Sequence, residues 1–147
     1  MSVDLTGTNQ GGKAITLRCF TELWARRRLD VADEILSVGY LGHAPGARDM
    51  QGRDALKDLV SRYHEGFPGL KVTVLGQLAE DDRVVTEFTL SGVHTGRWFG
   101  VPSTGRSMTL GGLAFSRISG GLIAEQWYEW ERRKLLEQLD LLPVLPG

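Results

Sequence analysis

The spacing of apolar residues divides the chain into a helical first half and a strand-rich second half. From Thr16 to Arg28, Leu17, Phe20, Leu23 and Trp24 recur at helical spacing and predict an amphipathic helix. Asp30 is placed to cap a second short helix, Val31 to Ser37, with Asp33 and Glu34 in its first turn. The run Gly39 to Gly46 is punctuated by Gly and Pro and reads as a loop or a short strand. A third helix is predicted from about Gly52 to Gly66, with Leu56, Leu59, Val60, Tyr63 and Phe67 as its buried stripe and Pro68-Gly69 as its stop.

After Pro68 the period changes from helical to alternating. Leu70, Val72, Val74 and Gln77-Leu78 predict a strand, Glu80 to Arg83 a turn, and Val84 to Val93 a second strand. His94 to Arg106 is a loop. Ser107 to Glu131 then has the form of a hairpin around Ser119-Gly120-Gly121-Leu122, where Gly-Gly can supply the positive φ of a tight turn. On the returning strand, Glu125, Trp127, Glu129 and Glu131 alternate with Gln126, Tyr128 and Trp130. Large rings fall on both faces, which suits a curved sheet with a cavity on its concave side and a partner or a packed loop on its convex side. Arg132 to Leu139 closes the chain as a helix before Pro143 and Pro146. Helices followed by a meander of strands define an α+β class rather than alternating βαβ units.

A length of 147 residues fits one domain. Residues 1–13 are polar and Gly-rich and read as a disordered tail, leaving 14–147 as the domain. A net charge of -1 gives no electrostatic footprint for nucleic acid, and Arg26-Arg27-Arg28 reads as a solvated helix end. No apolar run reaches the roughly 18 residues of a membrane span, and the start lacks the order of a signal peptide, so a cytoplasmic protein is expected. Cys19 is the only cysteine and is expected to be a small packed side chain. His43, His64 and His94 are too scattered for a metal site: His64 is expected on an exposed helix flank, and His94 to hold its loop. His43 has two readings, a hydrogen-bond partner or base at a cavity floor, or a loop histidine bonded to backbone. Trp98-Phe99 reads as a packed loop, with a pocket lid or an interface plug as the other readings.

Several stretches resemble the SnoaL-like polyketide cyclase family of the nuclear-transport-factor-2-like superfamily. They are the helix ending near Trp24 and Leu29-Asp30, Tyr40-Leu41-Gly42-His43-Ala44-Pro45, and Gly66-Phe67-Pro68-Gly69-Leu70. The loop His94-Thr95-Gly96 through Gly100-Val101-Pro102-Ser103-Thr104-Gly105-Arg106 is the most specific, and Glu125-x-Trp127 and the closing Leu135 to Leu139 fit as well. The resemblance implies a cone-shaped barrel, a strongly curved antiparallel sheet packed against three N-terminal helices, with a C-terminal helix and a deep pocket. It also implies a homodimer or tetramer formed through the convex face, where Glu125, Trp127 and Glu129 are expected.

The resemblance further implies an acidic general acid/base on the last strand and a histidine on the strand before it. Matched through Glu125-x-Trp127, those positions fall on Tyr128 and close to Ala114; matched through a Trp-x-x-Trp-Asp pattern, the acid falls on Glu131. An enolate-forming closure needs a base with a pKa near the working pH, whereas an unperturbed tyrosine titrates near ~10. The expectation is therefore a cofactor-independent cyclase that closes a ring in a polyketide-type intermediate by folding it and hydrogen-bonding it, through cycloaddition or attack by an oxygen nucleophile. Tyr128, Glu131 and His43 are the candidate catalytic residues. Trp24, Tyr40, Tyr63, Phe67, Phe88, Ala114, Gln126 and Trp130 are the candidate substrate contacts, and Gly111, Gly112 and Ala114 are expected to leave pocket space. Intramolecular aldol closure using Glu131, and a non-catalytic binder of an apolar small molecule, remain as alternatives.

Overall fold

A computed structural model of the protein describes residues 8–142. Helix α1 spans Thr8–Arg18 and runs into a π-helical segment, Cys19–Trp24. It starts eight residues before the expected Thr16, so part of the expected tail is helical; residues 1–7 lie outside the described part. The Gly-rich start has a packing reason. A Cβ on Gly12 would lie 3.1 Å from Val84 and 3.2 Å from Ile118, so the missing side chain lets the helix sit close to the sheet. The buried stripe is Thr16, Cys19, Phe20, Leu23 and Trp24, while Leu17, expected in it, lies on the outer flank.

Helix α2 covers only Val31–Ile35, because Leu36 turns extended and opens strand β1, Leu36–His43. Asp30 stands at its N-cap without making the expected side-chain bond. The Gly39 to Gly46 segment is thus mostly strand. Strand β2, Met50–Gln51, and helix α3, Arg53–Gly66, follow, then β3 Lys71–Glu80, β4 Arg83–Val93, β5 Ser107–Ser119, β6 Leu122–Trp130 and α4 Arg132–Gln138.

The six strands form one sheet in the order β2-β1-β6-β5-β4-β3. Strands β3 to β6 are the expected antiparallel meander, and Gly120 and Gly121 both adopt positive φ in its last turn. The expected all-antiparallel sheet is corrected at one edge, where β1 pairs parallel with β6. The chain leaves β1 through the short β2 and α3 and comes back to its side of the sheet only after β3, β4 and β5, where β6 runs in the same direction as β1. The sheet curls around the helices without closing into a barrel.

Register divides the two faces of the meander. Thr86, Phe88, Leu90, Ala114, Ser116, Gln126, Tyr128 and Trp130 point at the helices and are buried. Three adjoining cross-strand ranks lie on the outer face. Leu78, Val85, Phe115, Trp127 and His43 pair successively in the middle one. Gly76, Glu87, Leu113 and Glu129 form the rank on one side, and Glu80, Arg83, Arg117 and Glu125 the rank on the other.

Candidate active site

Phe20 and Trp24 from the π-helical segment meet Phe88, Leu90, Tyr128 and Trp130 of the sheet around a narrow crevice. The wider π turn puts Cys19, Phe20, Leu23 and Trp24 all against the sheet, and such bulges recur at functional positions. The rings meet mostly edge to face: Trp24 and Tyr128 at 5.9 Å, Tyr63 and Trp130 at 5.6 Å, Tyr128 and Trp130 at 5.7 Å. The space is so finely divided that no point of it admits a water-sized sphere.

Beneath the rings lies a buried polar network. Tyr128 Oη donates to Gln126 Oε1 at 2.7 Å, and Tyr40 Oη donates to the same oxygen at 2.9 Å. Gln126 Nε2 donates to Ser116 Oγ at 3.0 Å, and Trp24 Nε1 donates to Tyr128 Oη at 3.3 Å. Cys19 Sγ sits 3.7 Å from Tyr128 Oη. Gly42 explains how Tyr40 reaches across. It pairs with Gln126, and a Cβ there would lie 2.7 Å from the Tyr40 hydroxyl, so the phenol lies over the bare backbone.

Every ionisable group in this network is held neutral. Burial pushes the Tyr128 phenol well above its ordinary range, with Cys19 and Tyr40 adding to the shift. Burial raises Tyr40 likewise, and the Cys19 thiol is pushed up to about 11 by burial. Tyr128 is therefore a hydrogen-bonding phenol and no base near neutral pH. Among the described residues, no cation acts on Cys19 to favour a thiolate.

The sequence-derived candidates separate into groups. Trp24, Phe88, Tyr128 and Trp130 line the crevice. Tyr63 packs on Trp24 and Trp130 from α3, and Phe67 lies one layer further out, against Tyr63 and His94. Tyr40, Gln126 and Ala114 are fully buried below the crevice rather than on its wall. The space expected at Gly112 is taken by Phe88, whose ring would stand 2.6 Å from a Cβ there. Phe20, Leu90 and Ser116 belong to the constellation and were not anticipated; the inward parity of β4 and β5 is the sequence signal that locates the last two.

His43 is not at the cavity floor. It alternates with Tyr40 and Gly42 and lies on the outer face, stacked on Trp127 at 5.3 Å. Its Nε2 is 2.9 Å from Glu125 and its Nδ1 2.9 Å from Asp49. Glu125, then Asp49, raise the His43 pKa, while His43 and then Arg117 act with it to lower that of Glu125. The pair stabilises fully from about pH 4.3 to about 6.5, the unfolded values of its members. It fades as pH rises through the elevated His43 pKa, or falls through the depressed Glu125 pKa. His43→Gln is accordingly expected to cost roughly 0.5–1 kcal/mol near pH 5.5 and much less near pH 9, by urea unfolding at both. An equal cost at the two pH values would show that the charge pair contributes nothing.

Glu131 also stands apart from the network. Its half-exposed carboxylate accepts from Gly111 N at 2.8 Å and lies 3.8 Å from Lys134. It borders an adjoining open groove of about 460 Å³, with Leu75, Glu87, Leu113 and Glu129. His64, expected to be exposed, is buried and donates from Nε2 to the Trp24 carbonyl at 2.6 Å. His94 holds its loop as expected: Nδ1 accepts from Thr104 N at 3.2 Å and lies 3.0 Å from Thr104 Oγ1, and burial keeps its pKa below the ordinary value.

A curled sheet closing on helices around an interior aromatic crevice defines a cone of the nuclear-transport-factor-2-like class. The family model for SnoaL-like polyketide cyclases matches residues 14–139, and the chain belongs to that family. Solved structures share the fold. A candidate SnoaL-like polyketide cyclase from Jannaschia sp. CCS1 is 23% identical, with a TM-score of 0.86 over 97% of this chain and 100% of its own. IdmH from Streptomyces antibioticus, a candidate polyketide cyclase, is 24% identical, with a TM-score of 0.75 over 87% and 97%. AclR from Streptomyces galilaeus, a candidate hydroxylase, is 27% identical, with a TM-score of 0.76 over 91% and 83%. No curated protein sequence matches the chain. Cyclase and hydroxylase names on one scaffold mean that the reaction has to be argued at the site.

Proposed function

We propose that the protein is a cofactor-independent cyclase that folds a polyketide-type intermediate among Trp24, Tyr63, Tyr128 and Trp130 and closes its ring by shape and hydrogen bonding. One observation carries the reading: the crevice is walled by rings and Leu90, and its one titratable wall group, Tyr128, has its pKa driven away from neutrality. A wall of this kind orients an apolar chain without offering it a strong base. Orientation alone can supply roughly 7–11 kcal/mol of a cyclisation barrier. The space between the rings admits no water-sized sphere, whereas small-molecule sites begin at roughly 300 Å³, so the substrate must part the rings as it enters. Glu131, on its own groove, is the acid/base of the competing aldol reading.

The test is turnover of linear polyketide precursors, followed by product mass. Trp24→Ala is expected to lose at least about tenfold in kcat/KM, an effect worth ~1.4 kcal/mol. Tyr128→Phe should lose less, and Glu131→Gln should stay near wild type. A folded but inactive Glu131→Gln protein would favour aldol closure. Return of every ligand unchanged would favour a binding protein.

The same reading includes a homodimer formed through the convex face. Leu78 is 76% exposed there, and Leu113 and Phe115 are each 46% exposed, a contiguous apolar surface that suits burial against a partner.

A further inference from the structure

At the end of β6 the aromatic crevice carries hydrogen-bond donors that the chain leaves unused. Trp130 is 5% exposed, yet its Nε1 has no hydrogen-bond partner among the described residues. Buried donors are nearly always met, so an orphaned indole N–H marks a place for an acceptor that the chain does not supply. Tyr63 packs edge to face on Trp130 at 5.6 Å and on the half-exposed Phe99 at 6.0 Å, so its ring stands between the crevice and a surface loop. Burial raises the Tyr63 pKa, and what opposes burial is the Trp130 indole N–H and then the Arg132 guanidinium. The Tyr63 hydroxyl therefore has a donor and a cation for neighbours, and the indole stands near its oxygen without meeting it at hydrogen-bond geometry.

Arg132 completes the cluster. Of the three cations that open α4, Arg133 pairs with Glu137 at 3.1 Å and Lys134 with Glu131 at 3.8 Å, while Arg132 has no ion-pair partner among the described residues. Its side chain lies across the turn after β1, where a Cβ on Gly46 would strike the guanidinium and come within 2.7 Å of Cδ. The parallel pairing of His43 with Trp127 brings that turn alongside the end of β6. The adjacent acid, Glu131, is already engaged by Gly111 N at 2.8 Å and by Lys134. An indole N–H, a phenol O–H and an unpaired guanidinium are thus gathered with no carboxylate among them. Resting on the cyclase reading above, we propose that Tyr63, Trp130 and Arg132 bind a carboxylate at one end of the substrate, so that the intermediate enters as a free acid with its apolar body in the crevice. The guanidinium fork matches the two oxygens of a carboxylate, and the indole and the phenol donate to the lone pairs left over. Fixing one end of the chain sets which of its atoms meet between the rings.

Naphthoate and its methyl ester share an apolar body and test the site, with affinity read by calorimetry and contact by the indole N–H signals of isotope-labelled protein. The acid is expected to bind at least about tenfold more tightly than the ester and to move the Trp130 indole proton downfield, while Trp127 on the outer face does not respond. Arg132 is exposed, so Arg132→Met should keep the wild-type circular dichroism. It is expected to bring the acid down to the affinity of the ester and to leave the ester within about twofold. Tyr63→Phe should cost the acid about threefold and the ester nothing. If the ester binds as tightly as the acid, or Arg132→Met keeps the preference, while both probes still move Trp24 and Trp130, the crevice stands and the carboxylate site is overturned. If neither probe moves Trp24 or Trp130, the crevice takes no apolar ligand, and the reading on which the site rests fails with it.

Discussion

Replacing Gln126 by leucine is expected to lower stability by roughly 3–5 kcal/mol, about 10 °C or more in Tm for a chain of this size. The side chains of Tyr40 and Tyr128 both donate to its one oxygen, and its nitrogen donates to Ser116. All four residues are buried, so water cannot take over any of these bonds without opening the core. Each orphaned hydroxyl then carries a desolvation penalty of about 1–3 kcal/mol. The same logic predicts a rescue. Adding Tyr40→Phe and Tyr128→Phe removes the stranded donors, and the triple variant should recover to within about 2 kcal/mol of wild type. Urea unfolding of the series checks both halves. A Gln126→Leu protein within about 1 kcal/mol of wild type would mean that the network is not the polar anchor of the core.

That network bears on how Tyr128 can act. Its proton is committed to Gln126 and one lone pair to Trp24, so its orientation is fixed before any substrate arrives. A phenol held this way is a wall with a defined polar edge. It can meet a carbonyl only by exchanging the Gln126 bond for a new one, a near-equal trade in a low-dielectric site.

The meander was legible in the sequence, while the polar network was only half so. Alternation from Leu70 onward, and Gly120-Gly121 between apolar runs, fix the strands and their inner and outer faces. They place Gln126, Tyr128 and Trp130 together on one side and Glu125, Trp127 and Glu129 on the other. What alternation cannot supply is the partner on a distant segment. Gly39 and Gly42 leave the segment open between a loop and a short strand, and without a settled β1 the parity that sends Tyr40 inward and His43 outward is hidden. Two glycines instead serve close approach: Gly42 lies under the Tyr40 ring, and Gly12 against Val84 and Ile118. Glu131 has the opposite history. Its carboxylate answers a backbone donor on β5 and so stands at the rim, a local contact that no motif spacing encodes.

Gly96→Ala is the second large effect, and it explains why the most specific loop of the sequence reads as it does. Gly96 N donates to the Gly66 carbonyl at 3.1 Å, docking the loop onto the end of α3. A Cβ at Gly96 would collide with the Glu65 carbonyl oxygen, and one at Gly66 would lie 2.5 Å from Trp98 Cβ. Backbone meets backbone at the first contact, so no rotamer change relieves it. The loop has to lift, and lifting it breaks the Gly96–Gly66 bond and loosens Trp98 from Tyr63 and Phe67. Overpacking a well-packed core costs about 1–3 kcal/mol, and this backbone-on-backbone clash should fall at the upper end, roughly 3 or more. Because Tyr63 also packs on Trp24 and Trp130, the displacement should carry into the crevice. The expected result is a Tm lower by roughly 6–12 °C together with a changed near-ultraviolet tryptophan signal. Equal stability with an unchanged spectrum would show that the loop accommodates a methyl group without leaving α3.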